Sequence, residues 1–322
     1  TMAMYAWAAN GETITNTLKT ETLTIVKEVE GYVGDATGND LTFSFTISPS
    51  DNKVKMDKME TPTITVKPTE RSAETYVTLP VGEYTVSEIN NGAWAVSVRH
   101  NDPQVEPTVA PTDGTQTSNS SATLHTGNTV TFTNTRRMFN DDGEYTVTKY
   151  WNRYDENEAF PNVTVTLSDG ARTRSVELKS EDVEVDGQNA NLGSVSHTFE
   201  NLPAYDLEGK ELTYTATESD VPGYTAGEPV SSDVSTTFTN TANSIVLTVN
   251  KVWQNGDGTE YMGERPESVT VKLWRAVKDG EPMLYTSREL NADNDWMCSF
   301  TVPTHNAGGD EYIYSVSEDP VT

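Results

Sequence analysis

YTVTKYW (145–151), YTATE (214–218) and TTFTNT (236–241) are three short stretches in which apolar and polar side chains alternate. Side chains two apart on a strand share a face. Lys149 therefore lies in phase with Tyr145, Val147 and Trp151, Glu218 with Tyr214 and Ala216, and Asn240 with Phe238. Each stretch reads as a half-buried strand that carries one polar group on its apolar face. The trio predicts an all-β protein whose core receives an amine, a carboxyl and a carboxamide.

Working outward, the same three-part pattern recurs. LTIVKEV (23–29), YTVSE (84–88) and VTFTNT (130–135) precede it, LTVNKVW (247–253) and YSVSE (314–318) follow it, and ETITNT (12–17) stands near the start. Lys27 is in phase with Leu23, Ile25 and Val29, and Lys251 with Leu247, Val249 and Trp253. Glu88 follows Tyr84 and Val86, Glu318 follows Tyr314 and Val316, Asn134 follows Val130 and Phe132, and Asn16 follows Ile14. Lysine and glutamate are separated by 61, 69 and 67 residues, as related modules require. In the first module a Pro-, Thr- and Ser-rich insert, DPQVEPTVAPTDGTQTSNSS (102–121), reads as a loop. The expected organisation is 1–18, 19–138, 139–242 and 243–322, with short joins that stack neighbouring modules end to end.

Composition narrows the function. The 322 residues suit two or three domains. A formal charge of -27, from 49 acidic against 22 basic residues, excludes nucleic acid as a partner, because phosphate binding needs clustered Lys and Arg. WQNGDGTEYMGE (253–264) offers oxygen ligands, but its spacing does not match an EF-hand loop, and no metal or other cofactor is expected. Cys298 is the single cysteine, so no internal disulfide forms. It reads as a small buried hydrophobe on a strand. His100, His125, His197 and His305 lack metal-ligand spacing and read as surface or loop residues, while Trp151, Trp253, Trp274 and Trp296 read as core. No phosphate-binding Gly-rich loop or nucleophile elbow is present, so a turnover enzyme is not expected. Signal peptide, membrane-spanning run and sortase motif are also absent, and such signals are expected outside this sequence.

Unpaired ionic groups cost several kcal/mol to bury, so three recurrences of the trio require a reason. Two readings stand side by side. One is a buried Lys–Glu ion pair hydrogen-bonded to Asn. The other follows from desolvation, which lowers the lysine pKa, raises the glutamate pKa and leaves a neutral nucleophilic amine beside a protonated acid. That amine attacks the asparagine carboxamide, with the glutamate shuttling protons and ammonia leaving.

A resemblance favours the second reading. The Lys strand, the Y-x-x-x-E strand and the F-T-N-T strand resemble the intramolecular isopeptide domains of Gram-positive surface proteins. KYW with FPNVTVTL and LPAYDLEGKELTYTATESDVPGY, and KVW with RPESVTVKLW, make 139–242 and 243–322 similar to the collagen-adhesin B-type (Cna B) repeat. LTIVKEVEG, LTFSFTI, LPVGEYTVSE and VTFTNT make 19–138 resemble the pilin isopeptide-linkage (FctA-like) domain. The resemblance implies tandem Ig-like, transthyretin-like β-sandwiches in an elongated array. It also implies Lys27–Asn134 and Lys149–Asn240 cross-links, Glu88, Glu218 and Glu318 as acid–base partners, and a place on the cell wall or a pilus-like fibre of a Gram-positive bacterium.

The third module departs from the pattern, because Glu318 is followed by only four residues and no asparagine strand. Residues 1–17 carry the missing kind of strand, with Asn16 as the matching acceptor for Lys251. Asn16 lies 11 residues before Lys27, a reach of at most about 40 Å, whereas two stacked sandwiches span on the order of 60 Å. Closure within one extended molecule is thus disfavoured. Two expectations remain. Either residues 1–17 complete the third module of a neighbouring copy by strand addition, or they belong to an upstream repeat of a longer chain. The expected role is a fibre shaft or stalk without membrane insertion. The alternative is an adhesin region that binds a host matrix protein or glycan.

Overall fold

The computed structural model describes residues 5–10, 13–31, 40–50, 59–67, 69–90, 92–105 and 121–320. Most of the Pro-, Thr- and Ser-rich insert and the start of the chain lie outside the described residues. Two strands come first, β1 (Tyr5–Asn10) and β2 (Thr13–Leu18), paired antiparallel with Trp7 opposite Asn16.

The first module contains β3 (Thr20–Glu30), β4 (Leu41–Pro49), β5 (Thr63–Val66), β6 (Ser72–Pro80), β7 (Glu83–Ile89), β8 (Trp94–His100), β9 (Ser121–His125) and β10 (Thr129–Arg136). They form sheets in the orders β6-β3-β10-β8 and β5-β4-β7-β9. In β3 the alternation read from the sequence is realised residue by residue, whereas β10 buries Thr131 and Thr133 as well as Val130, Phe132 and Asn134. Leu23, Ile25, Lys27 and Val29 of β3 are buried while their neighbours are not. Phe45 of β4 meets Phe132 of β10 at 5.1 Å between ring centroids, joining the two sheets through the core.

The second module runs through β11 (Tyr145–Asn152), β12 (Val163–Ser168), β13 (Thr173–Leu178), β14 (Glu184–Val185), β15 (Leu192–Phe199), β16 (Thr215–Glu218), β17 (Tyr224–Ala226), β18 (Val230–Ser231) and β19 (Ser235–Ala242). One sheet has the order β14-β15-β11-β19-β17, with β18 also on β19, and the other β13-β12-β16. The third module has β20 (Ser244–Asn250), β21 (Ser268–Val277), β22 (Met283–Asn291), β23 (Met297–Pro303) and β24 (Tyr312–Glu318), in sheets β20-β23 and β22-β21-β24. The chain forms two compact units, Thr1–Glu144 with Glu200–Thr213, and Tyr145–Phe199 with Tyr214–Thr322.

The lysine strand is central in the first two modules. β3 lies between β6 and a parallel β10, and β11 between β15 and a parallel β19. β20 pairs only with β23 among the described residues. Several expectations for the third module are corrected by that difference. The strand read through Lys251 ends at Asn250, because no second ladder holds the backbone beyond it. Val316, expected to face a core, is 52 % exposed. Its buried apolar residues fall into two small clusters, Val269–Val271–Leu290 and Leu273–Phe300–Val302. Cys298 is half-buried rather than buried, and packs against both.

Other corrections follow from strand phase. Trp274 is out of phase with the buried Val271 and Leu273 and donates its indole N–H to Ser317 Oγ at 2.8 Å, so it is no core residue. His100, His125 and His197 sit half-buried on β8, β9 and β15 rather than on the surface or in loops. His125 is held by the buried Asp102, whose carboxylate takes its ring nitrogen at 2.8 Å and its backbone N–H at 2.6 Å.

Candidate functional site: lysine, glutamate and asparagine between the sheets

Parallel pairing sets the first site. Lys27 on β3 faces Phe132 of β10 across the ladder, and Val29 faces Asn134. Asn134 is two residues beyond Phe132 and so turns the same face inward. On the opposite sheet Phe45 of β4 is registered with Glu88 of β7, which brings the carboxyl up from the other side. Lys27 Nζ donates to Glu88 Oε2 at 2.9 Å, and Asn134 Nδ2 donates to Glu88 Oε1 at 2.6 Å. All three residues have no exposed surface. Burial pushes the Lys27 amine down to about 8, against the charge and hydrogen bond of Glu88, which pull it up. The face of Phe43, 4.4 Å from Nζ, replaces water on one side of the amine.

The second site repeats this register. Lys149 faces Phe238 and Trp151 faces Asn240 across the parallel β11–β19 ladder, while Glu218 of β16 arrives opposite Val165. Lys149 Nζ donates to Glu218 Oε2 at 2.6 Å. Burial again lowers the lysine pKa, opposed by the hydrogen bond and charge of Glu218. Lys149 is fully buried and Asn240 is 2 % exposed. Here the aromatic face under the amine belongs to Trp151 of the same strand, 4.7 Å away. In both sites the asparagine Oδ1 is buried without a hydrogen-bond partner.

The third site holds two of its three groups. Lys251 Nζ lies 3.0 Å from Glu318 Oε2 and 4.5 Å from the Trp253 ring centroid. These side chains remain 21 % and 29 % exposed, against 0 % and 1 % for Lys27 and Glu88. The expectation that this pair points into a core is therefore corrected. The parallel strand that covers the amine elsewhere has no counterpart beside β20 among the described residues. Asn16 is likewise exposed on β2 rather than inward-facing, and β2 pairs with β1.

The aromatic contact to the amine was only half visible in the sequence. K-x-W announces Trp151 and Trp253, but Phe43 reaches Lys27 from the facing sheet, which no local spacing reveals.

Tandem β-sheet modules with these inward lysines define the class, that of Gram-positive surface proteins of the adhesin and pilin type. The chain belongs to the Cna protein B-type domain family, which matches residues 145–241 and 247–322, more than half of its length. Residues 23–137, where a pilin isopeptide-linkage domain was expected, match instead the family described as a domain of unknown function (DUF5979). The collagen adhesin of Staphylococcus aureus is 31 % identical over 155 residues, which cover 47 % of this chain and 11 % of that protein. The chain thus spans about a tenth of that curated relative. Among solved structures, two B repeat units of the collagen binding protein of S. aureus share 20 % identity at a TM-score of 0.29, covering 100 % of this chain and 75 % of that one. The major pilin T-13 of Streptococcus pyogenes shares 14 % at a TM-score of 0.34, covering 69 % and 97 %.

Proposed function

We propose that this chain is a segment of a surface stalk or fibre whose modules lock themselves with Lys–Asn isopeptide bonds. The observation that carries the reading is the dry cluster of Lys27, Glu88 and Asn134. A neutral Lys27 amine attacks Cγ of Asn134, and the C–Nδ2 bond breaks. Glu88 moves the proton from the amine to the departing nitrogen, which leaves as ammonia. Half a turn about χ2 of Asn134 exchanges Oδ1 and Nδ2, setting the carbonyl against Glu88, whose protonated form then polarises it. Lys149, Glu218 and Asn240 do the same in the second module. The reaction runs once per site and is self-directed.

Intact mass tests this. Each bond removes one ammonia, about 17 Da, and the first two modules together lose two. An unsubstituted chain at the full sequence mass would leave only the buried ion pair.

For the third module, the proposed acceptor is Asn16 on a strand from another copy or repeat, entering parallel beside β20. The register of the other modules sets Ile14 opposite Lys251 and Asn16 opposite Trp253. A covalent ladder on denaturing electrophoresis, lost in Asn16→Ala, is the expected result. A single band for the unsubstituted protein would sink the intermolecular bond. The extracellular location and the partnership with further copies of the chain belong to the same proposal, as does any host matrix ligand of the kind named in the collagen adhesin.

A further inference from the structure

Two loops of the B-type modules are built to one plan. After Pro203 the chain returns through a Tyr205–Glu211 bridge, and after Pro303 through a His305–Glu311 bridge. In the first loop, Asp206 N donates to Lys210 O, Gly209 N to Asp206 O and Leu212 N to Ala204 O. In the second, Asn306 N donates to Asp310 O, Gly309 N to Asn306 O and Tyr312 N to Thr304 O. Asp206 Oδ1 accepts from Lys210 N at 2.7 Å, and Asn306 Oδ1 from Asp310 N at 2.9 Å. Gly209 and Gly309 both take the left-handed conformation, at φ 86° and 88°. At the equivalent connection the first module lacks this loop, Pro80 and Tyr84 being joined by Val81, Gly82 and Glu83 alone. The ends of the two connections are equivalent, since Tyr84 donates its hydroxyl to Pro80 O at 2.8 Å and Tyr314 to Pro303 O at 2.7 Å.

Both loops also touch the chain at or before the start of their own module. Ala204 N donates to Arg137 O at 2.9 Å, and Thr304 N to Asn243 O at 3.0 Å. Tyr205, in the same compact unit as the first module, lies under the Arg137 guanidinium at 4.7 Å and packs on the first module's core. His305 lies so close to Gly223 that a Cβ added there would stand 2.4 Å from His305 Cβ, and Gly309 packs on Pro222. The join between the second and third modules has an additional bolt. Arg275 Nη2 meets Glu158 Oε1 at 2.8 Å, its guanidinium stacks on Tyr285 and Tyr312, and Tyr312 donates its hydroxyl to Glu158 at 2.6 Å.

We propose that this loop is a preformed clasp by which each B-type module grips the linker and end of the module before it. The joint is then a property of the downstream module, and modules stiffened internally are coupled to one another without covalent bonds. The proposal is independent of isopeptide chemistry, which acts inside modules.

The test uses the full chain with Cys298→Ser and spin labels on cysteines placed at the exposed Glu181 and Met283. The unaltered clasp gives one narrow inter-label distance distribution. Replacing Thr304–Ile313 by Val-Gly-Glu, the first module's own connection, is expected to abolish the narrow peak and spread the distances. A peak equally narrow in the replaced chain overturns the proposal. Should the replacement unfold the third module, hydrogen exchange on the unaltered chain decides. The Ala204 and Thr304 amides are expected to be protected like strand amides, and exchange as fast as that of exposed turns overturns the clasp.

Discussion

At the residue scale the three lysines differ in how dry they are. Lys27 and Lys149 are sealed, and their amines are shifted toward the neutral, nucleophilic form. Glu88→Gln and Glu218→Gln remove the proton carrier, and each variant is expected to weigh about 17 Da more than the corresponding cross-linked form, by intact-mass measurement. The pH dependence has a definite sign. Burial lowers the Lys27 amine to about 8 in the folded module, against an ordinary value of about 10.5, and this downward shift is expected to persist in Asn134→Ala, which keeps the amine free. Between these values the unfolded chain binds the extra proton, so stability rises with pH across that window. Denaturant midpoints of Asn134→Ala should climb from pH 8 to 10.5, a rise absent when the amine is tied up as an amide. Lys251 behaves differently. Its pair with Glu318 is open to water, so Lys251→Ala is expected to shift the third module's stability by at most about 1 kcal/mol.

At the scale of elements, the parallel β3–β10 and β11–β19 ladders do the placing. Each puts the asparagine two residues beyond the lysine's partner, on the same face. The opposite sheet supplies the carboxyl, and large apolar side chains exclude water around it. Phe45 is fully buried, registered with Glu88 and packed on Phe132. Phe45→Ala should cost the first module about 3–5 kcal/mol in chemical denaturation and admit water to the site. β20, which has a ladder on one side only among the described residues, shows what the second ladder does: its outer residue Val246 is 64 % exposed, and the strand stops before Lys251.

At the scale of the whole molecule, the proposed bonds would tie the first strand of each of the first two modules to its last. Each would close a loop of about a hundred residues, worth on the order of 4–5 kcal/mol through the unfolded chain in an entropic account. The Glu88→Gln, Glu218→Gln double variant should therefore melt well below the unsubstituted protein and be cleaved faster by protease at equal temperature. Strand alternation, the repeat of the trio and the inward direction of Lys27, Lys149, Glu88, Asn134 and Asn240 were all legible in the sequence. Side-chain phase is a local property of a strand, fixed by spacing alone. The tertiary structure decided which trios are dry. Desolvation of an amine depends on what lies on both sides of its strand: β10 and β19 come from about a hundred residues away to cover Lys27 and Lys149, and β20 has a neighbour on one side only among the described residues. For the same reason Phe43 under Lys27, and the grip of Tyr205 and His305 on residues before their modules, were visible only once the chain was folded.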